Sequence, residues 1–394
     1  MRRHTIVLSD VHLATLVGNA GAMTYRRAEH APDGHLAAVI ARSVDRARRA
    51  GAALELVLNG DLFDLDAPPA DGAADAASYE GSRCERSAAR IMQRILAEHP
   101  LIVQALGQAV REPHVRLVVI PGNHDAQLAF AEVREVLAHA LGLPPPARLI
   151  FRSWMHITPD KVLVEHGHQY DPLCALERLY PLRRADGTPR LEDTIGTVGT
   201  HYGQAVFPHV NPYAADPFDG DVVGALRQCV RGGIGACAPT LGLLAGVREL
   251  LLVQPSDAAP DPAFLHHVAR ELGVSADVLD QHRALWAPKA DMAAVAAAAF
   301  KSYDYGGDVS ERLRGAMRCA AALHGIRGVV TGHTHEPFLD QDGAGPIMGN
   351  AGSWAPVVGL PGADPCVGTC VHVVTDGPRL EARLERVWPD GSVT

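Results

Sequence analysis

The chain lacks a CxxC pair, lacks any run of about twenty uninterrupted apolar residues, and has no excess of basic side chains. Its seven cysteines, Cys84, Cys174, Cys229, Cys237, Cys319, Cys366 and Cys370, are odd in number and show no paired spacing. That excludes a disulfide framework and points to a reducing cytoplasm. The missing apolar run excludes a transmembrane helix. At the N-terminus, two arginines lead into an apolar stretch of only four residues, Ile6 to Leu8 with Thr5, which ends at Asp10 and His12. A stretch that short is not a secretory leader. The formal net charge of -9 argues against an extended nucleic-acid surface as partner, because counterion release needs a basic face. A local basic patch and peripheral association with a membrane surface stay open. What the chain does have is length: 394 residues at 47% hydrophobic composition can bury a large core as one enlarged domain or two.

Short β-branched and aliphatic runs alternate with helical periodicity. Strands are expected at Thr5 to Leu8, Leu54 to Leu58, Val115 to Ile120, Lys161 to Glu165 and Gly328 to Thr331. Helices are expected at His35 to Arg49, Arg86 to Glu98 and Ala126 to Ala140, with Leu36, Val39, Ile40 and Val44 along one side of the first. Asp66 to Ser78, rich in Ala, Asp, Gly and Pro, reads as a mobile loop. The alternation implies an α/β sandwich-like core with mixed sheets. More than 160 residues separate His168 from Gly332, too many for a simple crossover, so an inserted, mainly helical region is expected. Its helices are placed at Pro262 to Leu272, Asp277 to Ala299 and Val309 to Leu323. Its most apolar segment, Ile234 to Val253, is broken by Pro239, Arg248 and Glu249. A buried helix pair fits that better than a lipid-facing surface or a site for a substrate tail. Residues 1–170 and 326–394 would then form the core and 171–325 the insertion. The β-rich runs Thr369 to Thr375 and Leu380 to Val387 are expected to complete a second sheet.

Several of these apolar runs stop at a turn carrying carboxylate, amide or imidazole. IVLSDVH supplies Asp10 and His12; LVLNGDLFD supplies Asp61 and Asp64; LVVIPGNHD supplies Asn123, His124 and Asp125. VLVEHGH supplies His166 and His168, and GVVTGHTH supplies His333 and His335. A sheet that ends in such turns delivers ligands to its rim. Asp61 is the natural bridge, since one carboxylate can hold two cations about 3.5 to 4 Å apart. The mixed N/O set without thiolates suits Mn2+ or Fe2+, with Zn2+ and Ni2+ as further candidates, better than calcium. Asp64 is read as orienting a ligand or capping a turn. His168 is read as contacting phosphate or supporting His166. His4, His139, His266, His267 and His282 are read as surface or packing residues. His201, His209, Asn211 and Tyr213 could cover the site.

The ordered series DVH, GDLFD, GNHD, HGH and GHTH resembles the calcineurin-like metallophosphoesterase superfamily, the binuclear metallophosphatases. NAGSW at Asn350 to Trp354 resembles a turn that often follows these motifs. The resemblance implies a four-layer α/β/β/α sandwich and two divalent ions. It places Asp10, His12, Asp61 and His335 on the first ion, and Asp61, Asn123, His166 and His333 on the second. His124 would face the scissile phosphate and Asp125 would orient or polarise it. The implied reaction is hydrolysis of a phosphate ester by hydroxide held between the ions, with His124 stabilising or protonating the leaving oxygen. The implied substrate is a small phosphate ester or nucleotide, as monoester or diester.

One branch of that superfamily cleaves the pyrophosphate of a UDP-linked diacylglucosamine and shares the motif order. It has Arg where His124 stands and Asp where His168 stands, so a general phosphomonoesterase or phosphodiesterase is favoured over it. Protein-phosphatase patterns GDxVDRG and GNHE are replaced here by GDLFD and GNHD. Two other classes are a lipid-headgroup phosphoesterase working at a membrane surface and a noncatalytic metal-dependent binding module.

Overall fold

The structure is a computed structural model that describes residues 2–15, 32–65, 85–142, 148–171, 174–175, 182–183, 189–190, 262–287, 305–341, 345–355 and 366–394. The first part of the chain runs β1 (Arg3–Leu8), α1 (Asp33–Arg49), β2 (Ala53–Asn59), α2 (Glu85–Glu98), α3 (Pro100–Arg111), β3 (Val115–Ile120) and α4 (Ala131–Ala140). Then come β4 (Leu149–Phe151), β5 (Met155–Ile157), β6 (Val162–Glu165), and a small separate pair, β7 (Leu182–Arg183) with β8 (Pro189–Arg190). The remainder is α5 (Pro262–Leu272), α6 (Ala276–Arg283), α7 (Tyr305–His324), β9 (Gly328–Thr331), β10 (Phe338–Asp340), β11 (Ile347–Asn350), β12 (Gly368–Asp376) and β13 (Arg379–Val387).

Two mixed sheets face each other. The first has the order β13-β12-β1-β2-β3-β4, with β1 to β4 parallel and β12 antiparallel to β1. The second is β10-β11-β9-β6-β5, with β11, β9 and β6 parallel between antiparallel edge strands. Strand alternation sorts the core. Ile6 and Leu8, Leu54, Leu56 and Leu58, and Leu117 and Val119 belong to the apolar cluster shared with the helices. Val7, Val57, Val118, Val162, Val164, Val330, Val371 and Val373 form a second cluster that joins residues of both sheets. Stiff β-branched side chains thus fill the space between the pleated faces, and longer leucines meet the helices. Leu36, Val39, Ile40, Val44 and Ala47 are the buried stripe of α1, which closes over the first sheet.

The strand expectations hold to within a residue or two. One placement does not: β12 and β13 extend the first sheet through the register Arg3↔Thr375 to Val7↔Val371. Alternation told which residues face inward, but both sheets offer an apolar face, and only the pairing with the open edge of β1 decides between them. The helix expected over Asp277 to Ala299 ends at Arg283, after starting from Ser275, whose side chain accepts from Val278 N at 3.2 Å. It stops because Ala284 to Trp286 turn back and Ala287 N donates to Gln169 O at 2.9 Å. Residues 288–299 lie outside the described residues. The helix expected over Ala126 to Ala140 is a 3-10 turn, Ala126–Ala129, then α4, separated by extended Phe130. Helix α3 had not been anticipated, although Pro100 at its first turn is a start signal. The expected loop Asp66 to Ser78, the apolar segment Ile234 to Val253, and His201, His209, Asn211 and Tyr213 lie outside the described residues.

Helix α7 packs on the second sheet, and α6 packs against both α5 and α7. Tyr170 Oη donates to Glu165 Oε1 at 2.7 Å and lies 2.7 Å from His282 Nε2, while His282 Nδ1 lies 2.8 Å from His324 Nε2. One proton assignment satisfies the series: Nε2–H of His282 donates to Tyr170, and Nε2–H of His324 donates to His282. This buried chain ties α6 and α7 to the turn that follows β6.

Candidate metal centre

Parallel strands in two facing sheets point their C-terminal ends at one rim, and each expected motif follows such an end. Asp10 and His12 follow β1, Asp61 and Asp64 follow β2, Asn123 to Asp125 follow β3, His166 and His168 follow β6, and His333 and His335 follow β9. The backbone there is special. Asp10, His12, Asp61, His333 and His335 have φ of 54°, 55°, 51°, 71° and 58°, and Lys161 is the only other non-glycine residue described with positive φ. Left-handed backbone costs an ordinary residue about 1–2 kcal/mol. Such cost concentrated in five candidate ligands marks a functional site.

The turns are built on close approach. Gly60, at φ 75°, runs so near the His166 ring that a side chain there would overlap it. A side chain at Gly122 would overlap Asp61, and one at Gly332 would overlap Ser9 and Asp10. Asp125 is fully buried and its carboxylate accepts from Gly122 N at 2.6 Å, Leu62 N at 2.8 Å, Asp61 N at 3.3 Å and Phe63 N at 3.4 Å. It clamps the Asp61 turn to the Asn123 turn, a role additional to the orientation of His124 expected from sequence. Burial and the negative Asp61 beside it push its carboxyl up to about 7. Asn350 donates to Gly332 O at 2.7 Å and Thr334 Oγ1 at 3.1 Å, and Trp354 N and Ser353 Oγ donate to Asp10 O, both at 2.9 Å. The NAGSW turn therefore buttresses both the first and the last motif.

The side chains converge in overlapping groups. Donor atoms of Asp10, His12 and His335 lie within 4.8 Å of one another, as do those of Asp61, His166 and His333, and those of His12, Asp61 and His124. Asp10 shows how the carboxylates are held: Oδ2 accepts from His333 N at 2.9 Å, and Oδ1 has no hydrogen-bond partner among the described residues. Asp61 Oδ1 accepts from His124 N at 2.8 Å, and Oδ2 lies 3.1 Å from His166 Nε2. His124 is half-buried, its ring edge-on to His12 at 5.2 Å between centroids.

Whether these residues suit cations can be tested on their unused atoms. Asp10 Oδ1, Asn123 Oδ1 and His166 Nε2 are buried without a hydrogen-bond partner among the described residues. Leaving such an atom unmet costs about 1–3 kcal/mol. His335 Nε2 lies 3.2 Å from Asp10 Oδ1, and His166 Nε2 lies 3.1 Å from Asp61 Oδ2, close yet not aligned to bond one another. That is how donor atoms sit when they share a third partner. Electrostatics agree. Burial favours neutral carboxyls, but His166 and His335 draw Asp10 to about 2, and His166 and His124 hold Asp61 well below the ordinary carboxylate range. Burial likewise opposes charge on His166, yet Asp61 and Asp10 raise it to about 9. Buried anions here demand positive charge, and the donor set fits a pair of divalent ions.

Other polar groups orient the histidines. His12 Nδ1 meets Asp64 Oδ1 at 2.7 Å, His166 Nδ1 meets Asn59 O at 2.8 Å, and His333 Nε2 meets Asp171 Oδ2 at 2.9 Å. Asp64 was read from the sequence as such a partner; Asn59 and Asp171 were missed. Asn59 acts through its main-chain carbonyl, which side-chain chemistry does not announce. Asp171, three residues beyond His168 and fully buried, carried only the weak signal of an acid in an apolar-flanked turn. His168 is buried with both ring nitrogens unpartnered among the described residues, its ring 5.3 Å from His166 and 6.4 Å from His333. Burial, then the neighbouring His166 and His333, keep it neutral.

A family model of calcineurin-like phosphoesterases matches residues 3–231, more than half of the chain, and the chain belongs to that family. Its general chemistry is therefore metal-dependent phosphoester hydrolysis. A solved dimetal phosphatase from Danio rerio is similar over 98% of this chain and 96% of that one, at 12% identity and a TM-score of 0.34, too distant a likeness to carry an argument. No curated protein matches the chain in sequence. No helix among the described residues is long and apolar enough to cross a membrane.

Proposed function

We propose that the chain is a hydrolase of small phosphate esters, phosphomonoesters or phosphodiesters, working with two divalent ions. Asp10, His12, Asp61 and His335 would hold the first ion, and Asp61, Asn123, His166 and His333 the second, with residues 1–170 and 326–394 as the catalytic core. When bound, the ions supply charge neutralisation for the phosphoryl oxygens and acidify water. The observation that carries this reading is the set of buried donor atoms without a hydrogen-bond partner among the described residues, Asp10 Oδ1, Asn123 Oδ1 and His166 Nε2, beside the left-handed backbone of Asp10, His12, Asp61, His333 and His335.

The chain's own groups account for the rest. His124 stands at the half-exposed mouth, fixed through its backbone N–H to Asp61. Its imidazole would hold a proton toward the leaving oxygen and release it as the ester bond breaks. Asp125 keeps the His124 turn in register with the Asp61 turn, and the neutral imidazole of His168 can meet a phosphoryl oxygen or support His166. The ring at His124 favours this general activity over the UDP-diacylglucosamine branch, which carries Arg there.

The test is hydrolysis of paired phosphomonoester and phosphodiester probes by metal-free protein resupplied separately with Mn2+, Fe2+, Zn2+, Ni2+ and Mg2+. Activity restored by a transition metal and lowered about 10²- to 10⁴-fold in His124→Ala is expected. Inactivity with every ion on both probes would count against the reading.

A further inference from the structure

A neutral imidazole carries one N–H and one lone pair, so a histidine that binds a cation must send its N–H elsewhere. In a buried site that N–H needs an acceptor, and the acceptor decides which nitrogen is left for the ion. His12 and His166 each place Nδ1 on an acceptor, Asp64 at 2.7 Å and Asn59 O at 2.8 Å, which leaves Nε2 for the ion. His333 is reversed. Its Nε2 is the nitrogen on an acceptor, Asp171 Oδ2 at 2.9 Å. The two ring nitrogens face different ways, so Nδ1 remains for the group formed with Asp61 and His166.

The geometry points to Asp171 as a positioning residue of the second ion's site, a reading that rests on the two-ion function proposed above. It holds His333 in the tautomer with Nε2–H and turns Nδ1 to the ion. Local structure explains how it reaches. Gly167, at φ 105°, reverses the chain after His166, and a single 3-10 turn, His168–Tyr170, follows. Asp171 N closes that turn on His168 O at 3.2 Å, and Tyr170 is pinned to Glu165 and His282. One turn therefore delivers His166 to the second ion and the orienting carboxylate to His333, which arrives from a strand more than 160 residues later. Asp171 is fully buried and His333 nearly so, so water does not substitute readily for this contact.

The experiment is a titration of metal-free full-length protein with Mn2+ by calorimetry, with elemental analysis of the saturated chain, for wild type, Asp171→Ala and Asp171→Asn. The His333 tautomer is read from nitrogen-15 chemical shifts of a Zn2+-loaded sample, where His333→Gln assigns the signal. The expected result is two ions in the wild type, with the weaker step loosened about 10- to 100-fold in Asp171→Ala and the tighter step unchanged. Asp171→Asn should be affected less, because its side-chain carbonyl still accepts from Nε2–H. Wild-type His333 should show its proton on Nε2. Circular dichroism of the metal-free variants checks folding, and the Asn variant, nearly isosteric, keeps the test valid should the Ala variant fail to fold. If wild type binds two ions and both variants bind them as tightly, the role of Asp171 is wrong while the two-ion reading stands. Three ions in wild type would also overturn it, making Asp171, Cys174 and His333 a ligand group instead. Fewer than two ions in wild type would overturn the proposed function itself.

Discussion

Among the groups of histidine and carboxylate in the described residues, two are built on opposite plans. At the rim are Asp10, His12, Asp61, His166, His333 and His335. On the outer face of the first sheet are His4, His372 and Glu385, covered by Arg46 of α1. In the second group every member but Arg46 lies within a regular strand, and the contacts close on themselves. Arg46 Nη1 lies 2.5 Å from Glu385 Oε1 and 2.7 Å from His372 Nδ1, His372 Nδ1 lies 2.9 Å from Glu385 Oε1, and His372 Nε2 lies 3.1 Å from His4 Nδ1. Only His4 Nε2 is left over there among the described residues. At the rim, the ion-pair partners of Asp10, Asp61 and Asp64 among the described residues are all histidines, several donor atoms are unmet, and the backbone is left-handed at every member but His166. Burial of histidine beside acid is thus not what marks a metal centre. A resident arginine completes one cluster; the other is left needing an outside cation.

The largest effect expected from breaking this contrast is at Asp61. Asp61→Ala removes the carboxylate proposed to serve both ions and should lower turnover by roughly 10³-fold or more, with ions lost as well. His124→Ala should cut turnover while elemental analysis still finds both ions. Equal metal loss in the two variants would collapse the distinction between holding the ions and acting on substrate.

Arg46→Ala probes the other side. Because the guanidinium is partly exposed, losing it should cost about 1–2 kcal/mol, less than a fully buried pair. Denaturant unfolding would show that loss, while metal content and turnover should match wild type. A fall in metal content would mean the two clusters are not independent.

The smallest effect is a pH slope. Burial first, then the neighbouring His372, Arg2 and Arg46, push His4 down to about 4 from 6.5. For Glu385, burial acts upward, but His372 and Arg46 draw it down to about 2 from 4.5. In both cases the folded chain binds fewer protons than the unfolded one, so the stabilisation is complete above the ordinary value and is lost as pH falls toward the shifted one. His4 therefore weakens the fold between pH 6.5 and about 4, and Glu385 between pH 4.5 and about 2. Melting temperatures of wild type and His4→Gln across pH 7 to 5 would show a flatter profile in the variant. Parallel profiles would remove His4 from the account.

The strands and most helices were legible because each is a local pattern: alternation in β1 to β3, and an apolar stripe at helical spacing in α1. The metal-site candidates were legible for a related reason, since a buried strand that ends in glycine and then Asp, Asn or His has few other uses. Asp64 could be read as an orienting residue because it shares a motif with Asp61. Asn59 and Asp171 could not. One acts through a carbonyl that every residue possesses, and the other meets its histidine across more than 160 residues.

By itself, then, the amino-acid sequence determined which residues turn inward and which side chains stand at the strand ends, because those follow from periodicity and from chemistry within a few residues. The family match stops at residue 231, before His333 and His335. The pairing of β9 with β6 puts those two histidines on the rim, just as the open edge of β1 draws β12 and β13 into the first sheet. Tertiary structure alone made these choices, along with the tautomer that Asp171 sets, because each depends on which surfaces meet once the chain has closed.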